Sequence, residues 1–511
     1  MIGAGAAGLA LVDVLGRAGL RVLLVDTGSA RPSDRHQELN RAKVTGLPYD
    51  STGSRARAFG GTLHLWAGRC GTLDPIDFER RDWVADSGWP IGPADLKRHY
   101  DGALAFLGHP APDYFDRSPE AFSAPSIAAA PGLEIKDFLV TDHVDGRFCA
   151  ARRRRLAATA CVDVAESVTA QELVVDEHGR VTGLRCCDSR DPGREVLISA
   201  DRFVVCAGGL ETPRLLLASR ARQATGLGNG RDLVGRYFSD HPRLRSAGFQ
   251  LPPELRRDPT FVLRRRKTKK SQIGLRFADT LQRRHGLSNH CVMFGRRAGD
   301  IEALATTIQS TRNRSKAASG PRAIWRRIPT GPRRVLAGAL AFDRSRTFVL
   351  TSKIELRPNR DSRLTIGADR DRLGMPRIEI DWRIASEDRE GLRRYFALLG
   401  TELRSLGLVE RSPDFPDPDR NESYRDSSHP LGTTRMGATA REGVVDADLR
   451  VFSTSNLYLC GSSVFPTGGN VNPTLTIIAL ALRLAEHLLR SGVAGAQAQV
   501  AGSDTTIGEL A

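Results

Sequence analysis

The first eight residues constrain the fold most, because they contain three glycines at the spacing of a dinucleotide-binding turn, Gly3, Gly5 and Gly8. Apolar residues at helical spacing follow, and then an apolar strand, residues 21–26, which ends in Asp26. Glycines at these positions allow a tight turn and close approach of the backbone to a pyrophosphate at the helix N-terminus. Asp26 lies eighteen residues after Gly8, where a carboxylate can accept hydrogen bonds from the ribose hydroxyls. The pattern predicts a Rossmann-like α/β unit.

The chain has 511 residues, which is long enough for a large core and predicts two domains. It contains no run of the roughly 18 apolar residues that a membrane span needs. Only Met1 and Ile2 precede the fingerprint, where such a unit normally has a strand of about 5–6 residues. We therefore expect the natural chain to begin upstream, where a targeting signal would lie. Without such a signal, we expect a cytoplasmic protein with peripheral membrane association as an alternative.

Further elements can be assigned from alternating and continuous apolar runs. Residues 172–175 and 181–186 alternate around His178-Gly179 and predict a hairpin, and residues 202–209 predict a buried strand before a helix. Residues 240–428 mix strand and helix signals with longer loops. We assign residues 1–239 and 429–493 to the nucleotide-binding domain, with peripheral loops at about 72–145, residues 240–428 to a substrate-binding domain, and residues 494–511 to a flexible tail.

Positive charge is concentrated in one segment, residues 262–346, which we call the basic region. It has 21 Lys and Arg against 4 acidic residues, whereas the whole chain has a net charge of +16. One interpretation is a solvated surface; the other is a docking face for a membrane surface or its quinone, an acidic electron-acceptor protein or an anionic glycan. No nucleic-acid-binding motif accompanies the charge, so we expect no nucleic acid. The eight cysteines form no C-x-x-C pair, so we expect free thiols in a reducing compartment and no metal.

Two loops near the C-terminus carry the candidate chemistry. His429 opens the stretch His-Pro-Leu-Gly-Thr-Thr-Arg-Met-Gly, and Asn472 lies in Gly-Gly-Asn-Val-Asn-Pro-Thr, just before an apolar helical segment. A neutral imidazole, with an ordinary pKa of about 6.5, can accept the proton of an alcohol near neutrality. An amide can hydrogen-bond the same oxygen. We predict that His429 is a general base and that Asn472 orients the substrate, whereas His241 is interpreted as structural.

These segments, in this order, resemble the glucose–methanol–choline (GMC) family of flavoprotein oxidoreductases, over nearly the whole chain. The resemblance is carried by the fingerprint and by residues 59–68, 87–91, 206–209, 211–214, 228–229, 234–236, 240–242, 358–363 and 429–476. It implies an FAD-binding domain with a second α+β domain built on an antiparallel sheet. It also implies that FAD lies with its ADP half on the fingerprint and its isoalloxazine at the His429 and Asn472 loops. The implied cofactor-binding residues are Gly3, Gly5, Gly8, Asp26, Gly60, Gly61, Thr62, Trp66, Gly208, Gly461, Ser462, Asn472, Pro473 and Thr474.

The helix expected to begin near Leu475 adds a physical argument for that placement. Its free N–H groups carry partial positive charge, which would stabilise a reduced, anionic flavin by roughly 0.3–2 kcal/mol. Pro473 in the first turn loses no needed donor. Where many members carry an Asp near the flavin, this chain has Gly461, so backbone N–H groups and the Ser462 hydroxyl would replace it.

The chain departs from the family at the position where some members tether FAD through a histidine. That position is Leu65, and His64 lies one residue earlier. Adjacent side chains on an extended segment point to opposite faces, so we predict noncovalent FAD.

The resemblance implies oxidation of the CH–OH group of a sugar, glycoside or polyol-like alcohol to a ketone or aldehyde, with hydride transfer to flavin N5. We favour a dehydrogenase over an oxidase, because the basic region could serve an electron acceptor. Two alternatives stay open. One is a lyase on the same scaffold, in which FAD takes no part in redox chemistry. The other is a noncatalytic flavin-binding or membrane-docking subunit.

Overall fold

The computed structural model describes residues 1–109, 132–141, 144–253, 264–266, 269–296 and 347–496. Most of the basic region therefore lies outside the described residues, as do residues 497–511 of the predicted tail. No helix in the described part of the chain is both long and apolar enough to cross a membrane.

Within these ranges the chain forms strands that belong to several sheets, and the α-helices pack around them. The strands are β1 (Val22–Asp26), β2 (Lys43–Val44), β3 (Arg69–Cys70), β4 (Leu133–Val140), β5 (Val162–Glu166), β6 (Val168–Val175), β7 (Val181–Asp188), β8 (Glu195–Ile198), β9 (Phe203–Val205), β10 (Phe249–Gln250), β11 (Arg264–Arg266), β12 (Lys269–Phe277), β13 (Cys291–Arg296), β14 (Thr347–Lys353), β15 (Arg363–Arg370), β16 (Pro376–Asp381) and β17 (Leu457–Leu459). The helices are α1 (Ala6–Arg17), α2 (Asp34–Gln37), α3 (Pro75–Phe78), α4 (Pro93–Phe106), α5 (Gly146–Ala157), α6 (Gly208–Ala218), α7 (Asp279–His285), α8 (Ser386–Ser405) and α9 (Thr474–Ala496).

A parallel sheet joins the two ends of the chain. Its order is β5, β1, the single residue Ile2, β9 and β17, because Ile2 bridges Val25 on one side and Val205 on the other. Strands β1, β9 and β17 are mostly apolar and buried, as expected for a parallel sheet with both faces covered, whereas the edge strand β5 carries Asp163 and Glu166. Helices α1 and α9 pack against each other beside the sheet. The α/β fold with a Rossmann-like domain is therefore confirmed.

The glycine fingerprint is fixed by close backbone packing. Gly3 has φ +102°, and a Cβ on it would lie 2.7 Å from the carbonyl oxygen of Cys206. A Cβ on Gly8 would lie 2.0 Å from the carbonyl oxygen of Gly3. Because Gly8 lies in the first turns of α1, any larger residue there would push this helix away from the turn. These two glycines set the geometry of the strand-to-helix connection.

The second layer is a seven-stranded antiparallel sheet in the order β10-β14-β13-β12-β4-β3, with β11 paired to β12. This confirms an antiparallel sheet for the α+β part of the fold. Strands β3 and β4 join it, although they precede residue 240, and β4 lies in the segment assigned to peripheral loops. Helix α8 packs its buried residues Tyr395, Leu399 and Leu403 in one apolar cluster with residues of this sheet. The exact domain boundaries stay a prediction.

Two smaller sheets complete the fold. Strands β6 and β7 pair antiparallel around Gly179, so the hairpin prediction is confirmed, and β8 extends that sheet. Strands β15, β16 and β2 form the other sheet. Helix α9 begins at Thr474, one residue before the expected start, and continues to Ala496.

Candidate active site

The predicted site residues meet in one cavity of about 930 Å³ between the parallel and antiparallel sheets. Its lining contains most of them: Gly3, Gly5, Asp26, Gly61, Thr62, Trp66, Gly208, Gly461, Ser462, His429, Asn472, Pro473 and Thr474. Gly8 and Gly60 do not line it. Gly8 packs under Gly3, and Gly60 donates its backbone N–H to the Ala4 carbonyl at 2.9 Å, which docks the Gly-Gly turn on the fingerprint. The structure therefore brings residues from both ends of the chain together.

Asp26 holds the fingerprint turn as well as facing the cavity. Its carboxylate accepts the backbone N–H of Ala4 and that of Gly28, each at 2.7 Å. Burial raises the pKa of Asp26 to about 6, although the two N–H donors act to lower it. Each carboxylate oxygen can accept more than one hydrogen bond. The predicted contact of Asp26 with a ribose therefore stays compatible with this geometry.

The cavity fits a dinucleotide and a flavin ring. A Cβ added to Gly5 or to Gly208 would meet nothing within 4 Å, so the backbone at both positions is open to an incoming group. The indole Nε1 of Trp66 is buried without a hydrogen-bond partner among the described residues, so it is a donor that a bound group can satisfy. Helix α9 begins at Thr474, and both Pro473 and Thr474 line the cavity. The free N–H groups of the first helical turn carry partial positive charge and would stabilise a negatively charged group there.

The segment with His64 and Leu65 is a 3₁₀ turn, Gly61–His64, and not the extended strand that the sequence argument assumed. The assumption was wrong because Gly60 and Gly61 both adopt positive φ and turn the chain. His64 still points away from the cavity. Its Nε2 lies 2.9 Å from the carbonyl oxygen of Phe59 and so donates to it, whereas Leu65 lines the cavity.

His429 and Asn472 are in direct contact, 43 residues apart in sequence. The amide Nδ2 of Asn472 lies 3.1 Å from Nε2 of His429. The backbone N–H of His429 donates to the buried Asp240 carboxylate at 2.9 Å, and that of Ser427 donates to the same carboxylate. Ser462 donates its hydroxyl to the Pro430 carbonyl at 2.7 Å, which ties the loop to the residues after β17. Asp240 and Ser462 therefore fix the position of His429.

His241 determines which nitrogen of His429 is protonated. Nε2 of His241 lies 3.1 Å from the Gly468 carbonyl, which can only accept, so His241 carries its proton there. Burial lowers the pKa of His241 to about 4, so its Nδ1 is an unprotonated acceptor near neutrality. Nδ1 of His429 lies 3.1 Å from that acceptor and must be the donor. The Nε2 atom of His429 is therefore left with a lone pair directed at Asn472.

Lys353 at the end of β14 completes this chain of hydrogen bonds. Its Nζ donates to Oδ1 of Asn472 in a very short contact and lies 4.4 Å from the centre of the Phe138 ring. Because Nε2 of His429 is an acceptor, Nδ2 of Asn472 faces it and Oδ1 faces Lys353. Burial lowers the pKa of Lys353 to about 7, and the positive charges of Arg69 and Arg243 act in the same direction. Burial likewise holds the pKa of His429 well below its ordinary value, assisted by His241 and Lys353.

A buried polar network anchors the Asn472 loop to the antiparallel sheet. The Asn470 amide donates to Asp74 at 3.1 Å, and Asn289 donates to both Asp74 and Asp77. Lys136 forms a salt bridge with Asp74, and all of these side chains are buried or nearly so. Buried hydrogen-bond networks of this kind hold a loop in one arrangement, although Oδ1 of Asn470 has no partner among the described residues.

His241 and Lys353 were not predicted to contribute to the site. The sequence interpretation of His241 as structural omitted its contact with His429, and Lys353 had no motif around it. The one sequence signal for His241 is its position in Asp240-His241-Pro242, at the predicted boundary between the two domains.

The fold and the cavity are of the dinucleotide-binding type, and comparisons with known proteins give the family. Models of the GMC oxidoreductase family match residues 153–243 and 358–481. The chain is 27% identical to 6'''-hydroxyparomomycin C oxidase of Streptomyces lividus, over 96% of this chain and 91% of that protein. It is 25% identical to the fructose dehydrogenase large subunit of Gluconobacter japonicus, over 68% of this chain and 56% of that protein. The chain thus spans little more than half the length of the dehydrogenase subunit.

The fold is also shared with solved structures. Pyridoxine 4-oxidase from Mesorbium loti superposes with a TM-score of 0.59 at 18% identity, over 96% of this chain and 98% of that one. The chain belongs to the GMC oxidoreductase family, as the sequence resemblance indicated. It is an FAD-binding oxidoreductase.

Proposed function

We propose that this protein oxidises the CH–OH group of a sugar, glycoside or polyol-like alcohol to a ketone or aldehyde, with His429 as the general base and Asn472 as the orienting group. The observation that carries the proposal is the 3.1 Å contact between Asn472 Nδ2 and His429 Nε2, inside the cavity that the fingerprint also lines. A substrate hydroxyl placed between these two atoms could donate its proton to His429 and accept a hydrogen bond from Asn472.

The chain's residues would act on the substrate hydroxyl in two ways. Nε2 of His429 accepts the hydroxyl proton, and an N–H of Asn472 donates to the same oxygen. When bound, FAD supplies the acceptor for the hydride that leaves the substrate carbon. Because the proton leaves through His429, the oxygen becomes a carbonyl oxygen as the hydride departs, and such a positioned base contributes about 10²–10⁴-fold in rate.

The hydrogen bond between His429 and His241 is compatible with both protonation states of the proposed base. After proton transfer, Nδ1–H still donates to His241, whose own N–H is held by Gly468. Burial holds the pKa of His429 well below its ordinary value, so the imidazolium form is disfavoured. The proposed base is therefore neutral and ready to accept a proton across the neutral pH range.

Named relatives support the substrate class. A fructose dehydrogenase subunit and a hydroxyparomomycin oxidase are named for a sugar and an aminoglycoside, and the chain resembles both. We propose a sugar-like or polyol-like alcohol for this chain on that basis. We also propose dehydrogenase rather than oxidase activity, because the basic region has a charge suited to docking an electron acceptor.

We propose that FAD is held without a covalent bond. The His64 ring donates to the Phe59 carbonyl and lies outside the cavity lining, whereas Leu65 faces the cavity. Denaturation of the purified protein in acid or guanidinium should release all yellow colour into the filtrate. Colour retained on the precipitated chain would contradict this proposal.

The function is tested by a visible spectrum of the purified protein, followed by anaerobic addition of a panel of sugars and alcohols. We expect a bound flavin spectrum and bleaching of its long-wavelength band by at least one alcohol. Reoxidation by a quinone or dye faster than by oxygen supports the dehydrogenase assignment. A protein that stays colourless with added FAD would contradict the proposal. So would flavin that stays oxidised while a cyanohydrin is cleaved, which is the behaviour of a lyase.

A further inference from the structure

Lys353 is a buried lysine in the candidate active site, and the proton transfer proposed for His429 does not use it. Lys353 ends β14, where the alternate residues Val349, Thr351 and Lys353 line the cavity, as the two-residue period of a strand requires. It is 7% exposed, and its Nζ lies 4.4 Å from the centre of the Phe138 ring. Burial of an amine is costly unless the amine has a hydrogen-bond partner, so the position of this one needs an explanation.

The partner of Lys353 is the amide of Asn472. Nζ donates to Oδ1 of Asn472 in a very short contact, and Nδ2 of the same amide lies 3.1 Å from Nε2 of His429. The ammonium and the neutral amine of a lysine both carry N–H donors, so this contact forms in either protonation state of Lys353. Because Oδ1 is engaged by Lys353, the amide is held with Nδ2 toward the proposed base.

The hydrogen bonds from Lys353 to Gly468 all run in one direction. Lys353 donates to Asn472, which donates to His429. His429 donates to His241, which donates to the Gly468 carbonyl. A hydroxyl inserted between Asn472 and His429 fits this direction when it accepts from Nδ2 of the amide and donates to Nε2 of the imidazole.

Binding of an alcohol changes what holds the Asn472 amide. Without substrate, Nε2 of His429 and Nζ of Lys353 select the same orientation of the amide. A hydroxyl between Asn472 and His429 separates the base from the amide, and the contact with Lys353 then selects the orientation. A reversed amide would present Oδ1 to the hydroxyl, which would donate its hydrogen to the amide and not to the base. Such a complex would bind the alcohol without delivering its proton to His429.

We propose that Lys353 is a positioning residue for alcohol oxidation, which holds Oδ1 of Asn472 so that the substrate hydroxyl accepts from the amide and donates to His429. The inference rests on the proposed function, because it assigns a further residue to the same reaction. Since Lys353 excludes a nonproductive complex, it affects the rate of flavin reduction more than the affinity for the alcohol. His241 fixes the base and Lys353 fixes the orienting group, from opposite ends of one chain of hydrogen bonds.

A double-mutant cycle on the FAD-loaded protein tests whether Lys353 acts through Asn472. The four proteins are wild type, Lys353→Met, Asn472→Ala and the double variant, and methionine keeps most of the apolar volume of the lysine stem. The probe is whichever of D-fructose, D-glucose, glycerol, 2-methyl-1,2-propanediol and benzyl alcohol bleaches the wild-type flavin fastest. Stopped-flow absorbance under anaerobic conditions gives the limiting rate of flavin reduction and the apparent dissociation constant of the probe.

The rate and the affinity should respond differently to the loss of Lys353. We expect Lys353→Met to lower the limiting rate about three- to tenfold, the range for one hydrogen bond, and to change the apparent dissociation constant less than about twofold. In the Asn472→Ala background the same change should alter the rate less than about 1.5-fold, because the group on which Lys353 acts is absent. An equal factor in both backgrounds would indicate a general structural role and overturn the proposal. A wild-type rate in Lys353→Met would overturn it as well.

The matched control for the loss of a positive charge is Lys43→Met. Lys43 pairs with Glu379 outside the cavity lining, so this change should leave the rate and the affinity unchanged. Equal losses in Lys43→Met and Lys353→Met would show a general effect of charge and contradict the positioning role.

The orientation of the amide can also be checked without turnover. Nitrogen-15 NMR of the histidine rings separates the two tautomers, and the signals of His429 are those that disappear in His429→Gln. We expect Nε2 of His429 to be unprotonated in the FAD-loaded protein. A proton on Nε2 would require Oδ1 of Asn472 to face it. Lys353 would then no longer hold Oδ1, and the proposal would be overturned.

The two proposals can fail separately. A flavin that the probe bleaches, with equal effects of Lys353→Met in both backgrounds, overturns the role of Lys353 and leaves the proposed function intact. A wild-type flavin that no sugar or alcohol bleaches overturns the proposed oxidation, and the positioning role falls with it.

Discussion

The imidazole rings of His241 and His429 meet through their Nδ1 atoms, 3.1 Å apart, with the ring planes at 78°. This contact leaves the Nε2 lone pair of His429 available, because His241 has already given its own N–H to Gly468. His241 is therefore a positioning residue, which acts through the proposed base. It gives the base the correct tautomer without placing a second charge beside it.

Replacement of His241 by Phe should slow flavin reduction by at least about tenfold, because Nδ1–H of His429 loses its acceptor and the other tautomer becomes accessible. Stopped-flow measurement under anaerobic conditions gives this rate. His290→Phe is the matched control, since His290 is also buried but packs on Tyr395 outside the cavity lining. Bound FAD should be equal in both variants. A rate for His241→Phe equal to that of wild type would contradict the positioning role.

Replacement by methionine should change thermal stability in opposite directions at two buried lysines, Lys353 and Lys136. Lys353 has no carboxylate partner in the described part of the chain, so Lys353→Met should raise the thermal midpoint of the apoprotein. Lys136 is the nearer of the two cations paired with Asp74, and Arg276 lies 3.6 Å away, so Lys136→Met should lower stability, by less than the about 3–5 kcal/mol of a fully unpaired buried carboxylate. Calorimetric melting of both variants checks this. A loss of stability in Lys353→Met would show that its contact with Asn472 outweighs the cost of burial.

The gain from Lys353→Met should also depend on pH. The folded pKa of Lys353 is about 7, below its ordinary value of 10.5, so the unfolded chain binds more protons between these values. Stability of the wild type therefore rises with pH across that window, and the advantage of the variant should shrink from pH 7 to pH 10. An advantage that stayed constant would mean that Lys353 keeps its proton throughout.

Flavin reduction should keep its full rate well into the acid range. Burial lowers the pKa of His429 below 6.5, and the base is active when neutral, so the rate should be flat from pH 8 to 6.5 and fall only at lower pH. Single-turnover reduction at a saturating alcohol concentration measures this. If the rate of flavin reduction fell to half its maximum at a pH above 7, the result would contradict the lowered pKa of the buried His429.

Alanine at two fingerprint glycines should separate folding from cofactor binding. At Gly8 the new Cβ would lie 2.0 Å from the Gly3 carbonyl oxygen, so Gly8→Ala should destabilise the apoprotein. At Gly5 the Cβ meets nothing within 4 Å, so Gly5→Ala should fold normally and lose FAD affinity. Thermal melting and FAD titration of both proteins check the pair. Normal FAD binding by Gly5→Ala would contradict placement of the pyrophosphate there.

The sequence predicted those parts of the site whose chemistry is local. The fingerprint, the Gly60–Gly61 turn, and the loops of His429 and Asn472 each have their own pattern, and their residues line the cavity or pack directly against it. Lys353 could not be predicted, because its role depends on the register of β14 in the antiparallel sheet and on a partner 119 residues away. His241 likewise acts across 188 residues. The 3₁₀ turn at His64 differed from expectation because consecutive glycines with positive φ overrode an apparently extended segment.

The central claim is that His429 takes the substrate proton beside the flavin, and the rate of anaerobic flavin reduction in His429→Ala tests it most directly. With FAD content and thermal stability matched to wild type, we predict a loss of about 10²–10⁴-fold, together with partial rescue by added imidazole. A reduction rate within twofold of wild type, at any alcohol that bleaches the flavin, would contradict the account.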